Sequence, residues 1–140
     1  MEQISEPMSA EESCHAEKQR SWVRDHFEQD SRHKYDTVEG KLRLIQTILN
    51  AGWIKPPETW KLQSLGISLG DALVQDISLE WIIVEDEYGR NPALKMEGST
   101  IVIFPLTAIS KRVERGEKVN VRELFDEFRQ MIDEKLSQGF

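Results

Sequence analysis

Apolar residues recur along this chain with two different periods, and the change of period marks its organisation. Ser9-Ala10-Glu11-Glu12 has the form of an N-cap with acidic first-turn residues, and Trp22, Val23, His26 and Phe27 follow at i, i+1, i+4 and i+5. That spacing predicts a long amphipathic helix over about residues 10–30. Ser31 to Asp36 is polar and aperiodic and reads as a link, after which Val38, Leu42, Ile45 and Leu49 give a second helix that Gly52 stops. Lys55-Pro56-Pro57-Glu58 reads as a rigid extended connection, and Leu62, Leu65, Leu69, Ala72 and Leu73 as a third helical stripe. Gly66 and Gly70 lie four apart on that helix and predict a close approach by a neighbouring element.

The period changes at Leu79. Leu79-Glu80-Trp81-Ile82-Ile83-Val84 is β-branched and aromatic, too apolar for a strand with one wet face, and predicts a central strand covered on both sides. Glu85 to Pro92 reads as the connection, Ala93–Met96 as a short second strand, and Ser99–Phe104 as a third, giving an antiparallel meander. Pro105 suits a helix start, Leu106, Ile109 and Val113 carry a fourth helix to Gly116, and Asn120-Val121-Arg122-Glu123 resembles a capping box opening a fifth through Leu124, Phe125, Phe128 and Ile132. The expected fold is α+β: a three-stranded antiparallel β-meander packed with about five helices, in the order αααβββαα. Residues 1–36 form an N-terminal helix and linker and residues 37–140 the α+β domain, the whole being one compact unit.

Composition narrows the function classes. With 140 residues and 39% hydrophobic positions the chain can bury a core without disulfides. A net charge of −7 is the wrong sign for binding nucleic acid or an anionic membrane, so neither is an expected partner. The acidic start of the sequence carries no secretory pattern, no apolar run approaches the roughly 20 residues that span a bilayer, and Cys14 is the single cysteine; a cytoplasmic location follows as the expectation.

The stretch from about Leu65 to Phe128 carries a long signature: Leu65-Gly66-x-x-Leu69-Gly70, then Leu79-Glu80-Trp81-x-x-Val84-x-Asp86-Glu87-Tyr88-Gly89-Arg90-x-Pro92-Ala93-Leu94, then Phe104-Pro105-Leu106-Thr107-x-Ile109-Ser110-Lys111-Arg112-Val113-Glu114-x-Gly116-Glu117. It resembles the bacterial family known as domain of unknown function 3806. The resemblance implies the boundary of the fold and a bacterial origin, and it transfers no activity.

The most site-like feature is the acidic turn Glu85-Asp86-Glu87 with Tyr88 and Arg90, which gathers carboxylates, a phenol and a guanidinium at the end of a buried strand. It supports acid/base or metal chemistry in one reading; in another, Arg90 pairs with Asp86 or Glu87 and the turn is architecture or a partner surface. Lys111 and Arg112, with Arg115 and Lys118, form a basic patch on the fourth helix, and Arg112 is placed to reach the acidic turn. His26, Asp30 and His33 share a face if the first helix runs that far, a spacing that can hold zinc. Cys14 beside His15 invites a nucleophile–base reading, but adjacent helical residues point apart. No nucleophile elbow, phosphate loop, metalloprotease motif or dinucleotide fingerprint is present. The expected function is a small non-catalytic binding or regulatory module needing no cofactor, an immunity-type protein being a special case. The alternatives are a small enzyme using Asp86, Glu87, Tyr88 and Arg90, and a self-associating structural protein using Gly66 and Gly70 or Trp22 and Trp53.

Overall fold

The computed structural model describes residues 4–87 and 89–139. The chain runs β1 (Ile4–Glu6), α1 (Ala10–Arg24), a 3-10 helix (Gln29–Asp36), α2 (Val38–Ala51), α3 (Thr59–Asp76), β2 (Leu79–Asp86), β3 (Gly89–Met96), β4 (Val102–Ile103), α4 (Leu106–Glu114) and α5 (Val121–Ser137). The α+β class and the order of the long helices are as the periodicity predicts. The sheet has four antiparallel strands in the order β1-β2-β3-β4 rather than three. The added strand, β1, is three residues long, too short for an alternating pattern to be seen in sequence.

Local chemistry sets the boundaries. Ser9 and Glu12 form a reciprocal capping box, the Ser9 hydroxyl accepting from the Glu12 amide at 3.1 Å and the Glu12 carboxylate accepting from the Ser9 amide at 3.0 Å. α1 stops at Arg24, short of the expected residue 30, and the segment read as a polar link is helical with Tyr35 buried against the core. The Pro56-Pro57 connection is a turn, not an extended link: the Glu58 amide donates to the Lys55 carbonyl at 2.9 Å, and the Glu58 carboxylate accepts from the Lys55 amide.

The β2–β3 ladder runs from Leu79 opposite Met96 to Asp86 opposite Gly89, so most of the expected Glu85–Pro92 connection is strand. Gly89, at φ +115°, makes the tight reversal possible. Pro92 sits where β3 lacks a β4 neighbour, since β4 pairs only with Leu94 and Lys95. Both faces of β2 bury apolar groups as expected: Leu79 joins the main core, and Ile82 and Val84 form a smaller cluster with Ala93 and Val102.

Ten residues of α3 are buried, making it the central helix. A Cβ on Gly66 would strike the backbone of Leu106, and one on Gly70 the ring of Trp81. The two glycines therefore seat α3 against α4 and β2 within the chain, and they are not a surface for a second copy. Among the described residues no helix is long and apolar enough to cross a membrane.

Candidate functional site

Glu85 and Arg90 face each other across the β2–β3 hairpin, on the side of the sheet that also carries Glu6. Arg90 is held by an unexpected set of carboxylates. Its guanidinium pairs with Glu6 of β1, donates to both oxygens of Glu12 on α1 at 2.9 and 3.2 Å, and lies 3.7 Å from Glu85. The expected partner was Asp86 or Glu87; strand alternation instead puts Asp86 on the opposite face, and Glu87 lies in the turn. Tyr88 lies outside the described residues.

This clasp fastens β1, α1 and β3 together at the end of the sheet. Hydrogen bonding from Arg90, with the Ser9 amide second, holds the Glu12 carboxyl down at about 2. A group ionised that firmly is poorly matched to proton transfer near neutrality.

The basic patch does not join this constellation. Arg112 donates to the Ala108 carbonyl at 2.8 Å on its own helix and lies 3.9 Å from Glu127 on α5. Lys111 is exposed, and no ion pair links either residue to Glu85 or Glu87. The His26, Asp30 and His33 triad is likewise dispersed, because α1 ends before it. Among the described residues no group of three or more His, Cys, Asp or Glu side chains is arranged to hold a metal ion.

A feature that periodicity did not single out lies along α1 and the α2–α3 connection. Trp53 stacks on His26 at 5.8 Å and 20°, His26 meets the edge of Trp22 at 4.6 Å, Trp22 that of Trp60 at 6.0 Å, and Trp60 that of His15 at 6.3 Å. Nδ1 of His26 lies 2.8 Å from the Trp22 carbonyl, and because a carbonyl only accepts, this nitrogen carries the proton. Trp53 is 58% exposed and Trp60 39%, so the row ends in open aromatic surface. Trp22 and Trp53 were legible as interface candidates; Trp60 and His15 enter only through the fold.

Two of the hollows among the described residues border the helical layer. The larger, about 1020 Å³, lies between α2 and the α4–α5 connection. Its central amide, Gln46, is saturated: it donates to the Val119 carbonyl and to Asn50, each at 3.0 Å, and accepts from the Val121 amide at 2.8 Å. The groove is therefore a seam that anchors a loop. The smaller hollow lies between α1 and the sheet, beside the Arg90 clasp.

Comparison with known proteins places these elements. The family model described as Domain of unknown function (DUF3806) matches residues 41–125, which extends the resemblance carried by Leu65–Phe128 back into α2. A crystal structure from Bacteroides thetaiotaomicron VPI-5482 has a similar fold, with a TM-score of 0.72 and 19% identity over 90% of this chain and 47% of that one. The chain thus spans about half the length of that relative, and at this identity the likeness is one of fold. No curated protein matches the chain. The match of residues 41–125 takes in Trp53, Trp60 and the hairpin, whereas α1 lies before it.

Proposed function

The chain belongs to the DUF3806 family, and from that premise we propose that it is a non-catalytic protein-binding module of a bacterial cytoplasm. Its contact face is the aromatic row, and its partner is a basic protein. The observation that carries this reading is Trp53, a large ring left 58% exposed while stacked on His26. Exposed apolar clusters rimmed by polar residues mark interaction surfaces, and tryptophan is among the side chains that dominate interface energies. The net charge of −7 steers towards a partner of opposite sign. The acidic hairpin end is the weaker contact surface, because Arg90, Glu6 and Glu12 are already engaged with one another. The lone Cys14 supports a reducing compartment.

The test is affinity capture from the native host by wild type and by a Trp53→Ala/Trp60→Ala variant, followed by titration of the purified pair. A basic protein that binds stoichiometrically, and at least about tenfold more weakly to the variant, supports the reading. Equal binding by the variant overturns it, as does the absence of any basic protein at low salt. A dimer in light scattering that Trp53→Ala dissolves would reassign the face to a second copy.

A further inference from the structure

The groove between α2 and the α4–α5 connection, about 1020 Å³, is walled on one side by the loop that Gln46 anchors. Because Gln46 holds both the Val119 carbonyl and the Val121 amide, that wall is set before any ligand arrives. Leu49, Ile54, Val113 and Val119 line the groove, and each packs against the main core while remaining partly exposed. Its lining carries three cations, Arg43, Lys118 and Arg122, and two carboxylates, Glu39 and Glu117. Both carboxylates are engaged, Glu39 with Arg122 and Glu117 with Arg115. Arg43 and Lys118 pair with no carboxylate among the described residues. Arg43 lies one turn before Gln46 on α2, and Lys118 precedes Val119, so the two uncommitted cations flank the anchored loop. The net charge of −7 opposes an anion at long range, but at physiological salt charges more than roughly 8 Å away are largely screened, and the groups at the rim decide the contact.

We propose that this groove binds an amphipathic monocarboxylate, its aliphatic chain against Leu49, Ile54, Val113 and Val119 and its carboxylate accepting hydrogen bonds from Arg43 and Lys118. An apolar chain with one anionic head matches both features of the lining. A bare anion would leave the aliphatic wall uncovered, and an amine would meet cations that have no counter-charge of their own. The volume is near the upper end of the range of ligand sites. Neither Trp53 nor Trp60 lines the groove, so the site is separate from the aromatic face and does not rest on the protein-binding reading.

The experiment is a titration of the full chain, followed by amide and methyl NMR, with octanoate, octylamine and acetate as probes. Octanoate at millimolar concentration is expected to shift the methyl signals of Leu49, Ile54, Val113 and Val119. Octylamine is expected to bind more weakly, and acetate at equal concentration to leave those methyl signals in place. Arg43 and Lys118 are exposed, so Arg43→Gln/Lys118→Gln should keep the fold while weakening octanoate about fivefold and leaving octylamine no weaker. The Trp53→Ala/Trp60→Ala variant should bind octanoate as wild type does, which separates this proposal from the protein-binding reading. Absence of shifts with octanoate overturns the proposal, as does octylamine binding at least as tightly or undiminished octanoate affinity in Arg43→Gln/Lys118→Gln. Loss of octanoate binding in the tryptophan variant would also overturn it, by moving the ligand to the aromatic row.

Discussion

The two flanks of α3 are closed to water to different degrees. On the side of α2 and the 3-10 helix a buried polar network closes around Tyr35 and Lys41. The Tyr35 hydroxyl shares a 2.6 Å hydrogen bond with Ser68, and the Lys41 ammonium donates to the Tyr35 carbonyl and to Gln75 at 2.8 and 2.7 Å. On the α1 side one node is equally complete: Arg20 donates to both oxygens of Asp71, one of which also accepts from the Trp81 indole at 2.9 Å. Beyond that node the same flank leaves rings open at Trp53 and Trp60. A domain that encloses its large side chains on one flank and leaves rings open on the other keeps binding capacity where the rings are open.

The comparison depends on a shared scaffold, and the largest effects come from breaking it. Gly66→Val or Gly70→Val should cost about 3 kcal/mol or prevent folding, because the Leu106 backbone and the Trp81 ring have no room to give. Urea unfolding measures this, and a loss near zero would mean that the α3–α4 seam is looser than the contacts show. Asp71→Ala comes next, at about 2 kcal/mol, since it leaves Arg20 and the Trp81 indole without their acceptor at a site only partly open to water.

Tyr35→Phe tests the closed network and should cost about 1 kcal/mol at neutral pH, by stranding the fully buried Ser68 hydroxyl. Its pH dependence has a definite sign. Burial pushes the Tyr35 phenol above the ordinary value of 10, so the folded state keeps a proton that the unfolded chain releases. That contribution is present below pH 10 and is lost as pH rises beyond it. The gap between wild type and Tyr35→Phe should therefore narrow above pH 10 in paired urea titrations. Lys41, whose pKa burial lowers, is present in both proteins and drops out of the difference.

What the sequence discloses follows the range of the forces involved. Helices declared by repeating apolar positions, and the close approach at Gly66 and Gly70, are local patterns and could be read. β1 has only Ile4, Ser5 and Glu6 with which to signal a strand, and its place is fixed by pairing with Glu85, Val84 and Ile83 far along the chain. The hairpin was read short because Glu85, Asp86, Arg90 and Asn91 are polar, yet backbone pairing carries the ladder through them. For the site, the importance of Arg90 was legible and its partners were not. Glu12 and Glu6 stand 78 and 84 residues away, and no local rule links them. Nothing in the pattern around Gln19 shows that this helical residue would be enclosed.

The clasp gives a smaller effect with a clear direction. Glu12 is held at about 2 against an ordinary 4.5, so its contribution to stability is present above pH 4.5 and is lost as pH falls towards 2. The clasp lies at the surface, and salt screens it. Amide exchange at Ser5 and Val84 should accelerate between those pH values in wild type, and Arg90→Ala should show fast exchange already at neutral pH. If both proteins kept the same protection, the clasp would not be what fastens β1.

Trp53→Ala should change stability least, within about 0.5 kcal/mol, because more than half of that ring already faces water in the folded state. This small number sharpens the contrast between the flanks more than the large ones do. A residue that contributes little to the fold, beside a core whose aliphatic side chains are enclosed, has its stabilising interaction still to make. A thermal unfolding midpoint shifted by only a degree or two would agree with that account. A loss approaching that of Asp71→Ala would show instead that the stack on His26 holds the α2–α3 connection in place, and the aromatic row would then be scaffold like the rest of the helical layer.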